Sequence, residues 1–539
     1  MNRRQFLLSS AINSFGIICS SSYSQNSQIF AWNHIRDWNK EEFNKYSQWV
    51  ENIYNFKRNG TSSQKGAKLG RIIDDNEMNL LNNPDFLRDG NPQISSSEMN
   101  LMTTCSHCGS FPMLLFLYYS ARRGLPAIVS KIKMERGGDI RYSYGNHPIG
   151  HVKSMPFSGS FGDFILSSME GVGGGYNFVS GNFRTSPELE GTDSLPIKIS
   201  REFVKPGTMA YNANGHCLVV GKVDDSGEVH FLDSHPDHSI TFNQTLSAIQ
   251  SVNSSSDHKK WNDGLKIIRL ARVRKGQAIH FTNSEMSEYG FSLDQYESKI
   301  SDYESFVRNR LRIGTEKPIE YLNSSITELG EMMKERAKFV NEGWRDVLTN
   351  GSIVFPNDST EANIYQADGR WETWSSPSSD VDRKNKYNSI GKRLEAMVSG
   401  YPSSPAFDYE GFTSKEQLID AIKQTKEKLF SEQKIIYTNS SGIEFALTLN
   451  DVEKRLFDMS FDPNHAPELR WGAPETSKER EGMKIINTPL RTGETLPALK
   501  IYELERGLRY YPERQATPSS LNPANNPKEP PFKPITERF

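Results

Sequence analysis

The stretch Thr104-Cys105-Ser106-His107-Cys108-Gly109-Ser110-Phe111-Pro112 places a thiol just before a long apolar run, Phe111 to Tyr119. A cysteine opening a helix sits beside about half a positive elementary charge and several unpaired N–H groups, which favour thiolate over thiol and can hold a developing oxyanion. A thiolate nucleophile needs a base, and the candidate is His216 in Asn214-Gly215-His216-Cys217-Leu218. Neutral imidazole takes the thiol proton and later protonates the leaving group, provided something fixes its ring. Asp233 in Phe231-Leu232-Asp233-Ser234 is the natural orienter. Cys108, His216 and Asp233 together would attack an amide through a thioester, which water or an amine then resolves, and this chemistry calls for no cofactor and no metal.

Three elements must position these groups. Phe111 to Tyr119 is apolar all round, as a buried central helix is; Pro112 suits its first turn, and Gly124 with Pro126 ends it. Met209 to Val223 and Glu228 to Asp233 are predicted to form a hairpin about Asp224-Asp225-Ser226-Gly227. A loop of two or four residues gives cross-strand partners numbers of opposite parity, so His216 and Asp233 share a face as direct or diagonal neighbours. A three-residue loop without a bulge would put them on opposite faces.

Around this centre, an amphipathic helix runs from Asn39 to Phe56 behind an Asn39…Glu42 capping box, and 60–98 reads as loop. Ala127–Lys133 and Ile140–Tyr144 are predicted strands joined across Gly137-Gly138; residues 145–206 read as a long loop-bearing insertion, Leu265–Val273 as a further strand. The first domain, 25–285, closes near residue 285. Leu293 to Leu311 and Leu322 to Trp344 step by three and four and suggest a paired helical hairpin over 290–350. Residues 351–510 form a mixed, mainly helical region: 350–412 polar and loop-rich, a helix from the Ser414…Gln417 box to Phe430, a hairpin at Asn439–Gly442, and a helix capped by Asn450…Glu453. Seven prolines between Pro512 and Pro534 predict an extended tail, 511–539. No internal repeat is present.

The 539 residues are 36% hydrophobic and 24% charged, with 64 Lys+Arg against 66 Asp+Glu, which excludes wholesale disorder and argues against a nucleic-acid binder. No apolar run of about 20 residues follows the N-terminus, so no membrane span is expected in the mature chain. Arg3-Arg4-Gln5-Phe6-Leu7 and the Ser-diluted apolar stretch to Ile18 resemble a bacterial twin-arginine export signal, residues 1–24, and imply a periplasmic location; an ordinary secretory leader is the alternative. Cys105, Cys108 and Cys217 then remain, an odd count that leaves at least one thiol unpaired in an oxidising compartment.

A cysteine opening an apolar helix that ends Ser120-Ala121-Arg122-Arg123-Gly124-Leu125-Pro126-Ala127, followed by Gly215-His216 and then Asp233, resembles the transglutaminase-like core over residues 95–240. The interval from Cys108 to His216 is longer than in that family, and Leu218 replaces an aromatic residue. Cys105-Ser106-His107-Cys108-Gly109 is similar to papain-like proteases, although Met102 stands at their oxyanion Gln position, and Lys205-Pro206-Gly207-Thr208 is similar to cell-wall amidases of the same superfamily. The resemblance implies an α+β fold with a transglutaminase-like (papain-like) core, its central helix packed on an antiparallel sheet. It also implies a Cys-His-Asp peptidase, amidase or acyl transferase acting on peptide or peptidoglycan amides.

Other readings stand beside it. Cys108 as a buried structural thiol, a Cys105–Cys108 disulfide or redox pair, and zinc held by Cys105, Cys108 and His216 remain open. So does a catalytically silent fold serving as a periplasmic binding or assembly module, with the helical hairpin and proline tail as protein contact surfaces. His235, Asp237 and His238 read as solvated loop residues beside Asp233, with substrate contact as the alternative, His465 as a solvated loop residue too, and Arg184 as a candidate for holding an anionic substrate group.

Overall fold

The computed structural model describes residues 31–133, 146–169, 190–211, 216–249, 263–296, 300, 302–356, 364, 369–505, 509 and 531–539. Residues 1–24, which resemble an export signal, Gly137-Gly138, the strand predicted over 140–144, Arg184 and Gly215 lie outside the described residues. The architecture is mixed helix and sheet. Helix α1, Lys40–Asn59, starts at Asn39, whose side chain accepts from the Glu42 N–H, and buries Phe43, Tyr46, Trp49, Val50 and Ile53. Residues 60–98 hold a series of short helical turns rather than a loop, and end in α2, Ser96–Cys105, which Ser95 and Glu98 cap reciprocally. Helix α3, Phe111–Arg123, is buried along its whole length and stops at Gly124, whose φ of 67° is left-handed. A Cβ there would lie 2.9 Å from the Asn33 carbonyl oxygen, so the stop and the close approach of the N-terminal segment both need glycine.

Strand β1, Ile128–Lys133, pairs antiparallel with β2, His147–Lys153. The region predicted as a loop-bearing insertion therefore begins inside a sheet, and it goes on to α4, Phe161–Met169, and to β3, Ser194–Pro196. The strand predicted over 209–223 is two: β4, Met209–Tyr211, doubles back on β5, Cys217–Val223, with Met209 opposite Val219. With β6, Val229–Ser234, β7, Ile240–Thr245, and β8, Gly264–Ile268, they complete a six-stranded antiparallel sheet of order β3-β8-β4-β5-β6-β7. The strand predicted from Leu265 breaks after Ile268, and β9, Ala271–Arg274, pairs with β10, Gln277–His280, instead. Both α1 and α3 pack on β5, and Trp38 stacks on Phe116 with ring planes 6° apart.

The first core does not close at 285. Helix α5, Tyr303–Leu311, turns Tyr303, Val307 and Leu311 into it. Helix α6, Pro318–Asn350, instead carries Leu322, Ile326, Leu329 and Met333 into a second core. The predicted helical hairpin is thus divided between two cores, because the two apolar stripes have different partners. Residues 377–400, read as polar loop, form helix α7, Pro377–Gly400, whose Asp380, Arg383, Lys384 and Lys386 are buried. Asp380 takes a bidentate pair from Arg336 at 2.7 and 2.9 Å, so ion pairing replaces the apolar periodicity that marks a buried helix. Helix α8, Lys415–Glu432, follows Ser414 as expected, and β11, Lys434–Thr438, pairs with β12, Glu444–Thr448, about the turn at Asn439–Gly442. Helix α9, Leu449–Arg455, is capped by Thr448 and Asp451 rather than by Asn450 and Glu453. The proline-rich tail does not stay extended to its end, since Ile535 is buried in the second core and Phe532 stacks on Tyr387. Among the described residues no helix is long and apolar enough to cross a membrane.

Candidate active site

Cys108 lies in the turn between α2 and α3, three residues before the first helical residue. Ser110 shapes that turn: its hydroxyl bonds the Cys105 carbonyl oxygen and accepts from the His107 N–H at 3.2 Å, and the His107 carbonyl accepts from the N–H groups of Ser110 and Phe111. Two contacts pin the turn to the end of β6. The hydroxyls of Ser106 and Ser234 meet at 2.8 Å in a buried contact, and His238 Nδ1 meets the Ser106 carbonyl oxygen at 2.9 Å. Asp233 immediately precedes Ser234, so the segment holding the thiol and the strand holding the carboxylate are fastened together.

His216 enters from the first residue before β5, and its Nε2 lies 3.1 Å from Asp233 Oδ2. That contact depends on an irregularity. Near the turn, Val223 faces Val229 and Lys222 faces His230, partners of equal parity that would place His216 and Asp233 on opposite faces. The register shifts between Val220 and Lys222, so that Val220 faces Phe231 and Val219 faces Leu232; Gly221 is the extra residue, and beyond it His216 and Asp233 share a face. A Cβ on Gly221 would lie 2.3 Å from the Tyr54 ring on α1, which explains why the bulge carries glycine.

The sulfur of Cys108 is hydrogen-bonded by both His107 and His216. Burial works against ionisation of the thiol, yet these two bonds and the positive charge of the imidazoles bring it down from 9.0 to about 5. Burial likewise works against a charged His216, but Asp233 and the sulfur hold it well above the ordinary histidine value. Asp233 is buried, which favours its neutral form; His216 and then His235 overcome this and keep its carboxyl below the usual range. The result is a thiolate–imidazolium pair with a buried carboxylate behind it. Cys108 is half-buried and His107 exposed, so the pair faces an opening to solvent. The backbone N–H groups of Cys108 and Gly109 find no acceptor among the described residues.

The three residues chosen from the sequence therefore meet. His107 was visible next to Cys108, but nothing in the residue pattern marks it as a second donor to the sulfur. His235 does not read as a solvated loop residue in the structure: its Nε2 lies 3.4 Å from Asp233 Oδ2 and 3.1 Å from Thr241 Oγ1, while Glu335 on α6 faces it with negative charge. Its signal was its place two residues after Asp233. Cys105, Cys108 and Cys217 are all free thiols, so no disulfide joins the Cys-x-x-Cys pair. Among the described residues the grouping whose ligand-type atoms converge within 4.8 Å is Asp462, His465 and Glu505, not Cys105, Cys108 and His216. His465 is fully buried rather than solvated. No family model matches the chain, and comparisons with curated proteins and with solved structures return no match.

Proposed function

We propose that this chain is a cysteine-dependent amide hydrolase or acyl transferase of the transglutaminase-like or papain-like kind, acting after export to the periplasm. The observation that carries the reading is the Cys108 sulfur hydrogen-bonded to His216 while the same ring meets Asp233 at 3.1 Å. In the proposed reaction the thiolate attacks an amide carbonyl and forms the C–S bond of a tetrahedral species. Its oxyanion is received by the free N–H groups of Cys108 and Gly109. His216 then gives its proton to the departing amine as the C–N bond breaks, leaving a thioester. Neutral His216 next takes a proton from water, whose oxygen displaces the sulfur and releases the acid; an amine in place of water gives transfer. Asp233 orients the ring and stabilises the imidazolium.

Peptide amides, in peptidoglycan or in protein, are the substrate class. The test is digestion of purified peptidoglycan beside a generic protein substrate, with Cys108→Ala as control. Release of new amino groups from either substrate, lost in the control, supports the reading. No release from either, together with slow alkylation of Cys108 that His216→Ala leaves unchanged, overturns it in favour of a binding module.

A further inference from the structure

A cavity of about 320 Å³ lies at the seam between the two cores, where α1, the turn end of the β5–β6 hairpin, α5 and the start of α6 converge. That volume is in the range of small-molecule sites. Its walls are charged, and the carboxylates on them are already engaged. Glu228 is paired with Arg308; Glu316 Oε2 takes Arg393 Nε at 2.8 Å. Glu328 takes Lys386 at 2.9 Å and Arg58 at 3.2 Å, and Asp224 takes His230 Nε2 at 3.3 Å.

The donors are less completely used. Arg308 is 2% exposed, yet its Nη1 has no hydrogen-bond partner and stands 3.6 Å from Glu316 Oε1. A buried guanidinium nitrogen without an acceptor costs free energy that a ligand oxygen would recover. Lys222 is half-buried on the wall and has no carboxylate within ion-pair reach, and the side-chain amides of Asn55 and Asn59 make no hydrogen bond among the described residues. Lys222, Arg308 Nη1 and the Asn55 and Asn59 amides thus line the cavity with unused donor capacity, while its carboxylates are already paired with cations, two of them with Arg308 itself.

We propose that this cavity binds a small carboxylate-bearing molecule, its carboxylate held between Lys222 and Arg308 Nη1. The site is separate from Cys108 and does not rest on the hydrolase reading. The carboxylate could belong to a zwitterionic amino acid or peptide end, or to a plain organic acid. Binding would be measured by calorimetry and by thermal unfolding on the full chain, with glycine, glutamate, acetate, succinate and inorganic phosphate at constant ionic strength. Cys108→Ala serves as a parallel sample, so that the result is independent of catalysis.

The expected result is saturable binding of at least one carboxylate, weakened tenfold or more in Lys222→Glu and in Asn59→Asp and unchanged in Lys131→Glu, an exposed lysine on β1. Lys222 is chosen over Arg308 because it holds no ion pair that the fold would lose. Tighter binding of glycine or glutamate than of acetate or succinate identifies a zwitterion; the reverse order identifies an organic acid. Absence of saturable binding by all probes, binding indifferent to Lys222→Glu, or phosphate binding as tightly as the best carboxylate overturns the assignment.

Discussion

Two histidines of this chain lie against carboxylates and are driven in opposite directions. His216, its side chain 19% exposed, touches Asp233 and the Cys108 sulfur and is held charged well above its ordinary range. His465 is fully buried with Nδ1 3.7 Å from Glu505 Oε1, yet it is pushed down to about 3, first by burial and then by Arg509 and Arg470. It is a neutral ring, with Nε2 on the Ala498 carbonyl oxygen at 3.0 Å and Nδ1 on the Ser460 hydroxyl at 2.7 Å. Its acidic neighbours shift the other way, Asp462 up to about 7 and Glu505 up to about 8, chiefly through burial. The difference lies in the remaining neighbours. A second negative group and an opening to solvent make an ion pair that can react, whereas surrounding guanidinium groups and closure make a neutral strut.

The largest effect expected is at the first histidine. His216→Ala should lower amide turnover by about 10³-fold or more, as loss of a general base does, and should also lower thermal stability, since it takes a partner from the buried Asp233 carboxylate. Alkylation of Cys108 by iodoacetamide checks the same contact through its pH dependence. The native rate should rise through a midpoint near 5, since thiolate forms as pH rises past the depressed value, and His216→Ala should move that midpoint upward. Turnover should then fall at alkaline pH, as His216 loses the proton it must donate.

At the second region the effects should fall on stability alone. Arg336→Met removes the bidentate partner of buried Asp380, leaving it Arg383 and Ser376, and should cost about 3 kcal/mol in chemical denaturation, the lower end for a broken buried pair. His465→Phe leaves the Ser460 hydroxyl and the Ala498 carbonyl without their partner and should cost about 1–3 kcal/mol, with the Cys108 alkylation profile unchanged. The smallest effect should come from His107→Ala. It removes one of the two donors to the sulfur and raises the alkylation midpoint, but His107 has no carboxylate partner among the described residues, so turnover should drop only about tenfold or less. A loss as large as that of His216→Ala would make His107 the base and undo the comparison.

What was legible in the residues was legible for physical reasons. Phe111 to Arg123 reads as a buried helix because no position breaks its apolarity, and Gly124 marks its end because only a left-handed residue continues the chain there. The parity argument pairs His216 with Asp233 for a turn of two or four residues; the turn between Val223 and Val229 has five, and the bulge at Gly221, which the sequence does not announce, restores the shared face. Helix α7 reads as loop in the sequence because its buried positions include Asp380, Arg383, Lys384 and Lys386, so hydropathy sees a polar surface where the fold has interior ion pairs. The split of 209–223 into two strands is hidden because both strands are apolar and fully buried over Met209–Tyr211 and Cys217–Gly221. The pinning of the Cys108 turn by Ser106, Ser110 and Ser234 was unreadable because serine is ordinary in loops and its partners are remote in sequence.

Gly221 gives the hairpin a phase. Because the turn contributes an odd number of residues and the bulge contributes one more, deleting Gly221 or lengthening the turn by a single residue each swings Asp233 away from His216, whereas doing both restores their meeting. Relatives of this chain are therefore expected to vary in turn length only in steps of two, or in concert with the loss of that glycine, so that aligning them by turn length would misplace the carboxylate by one position.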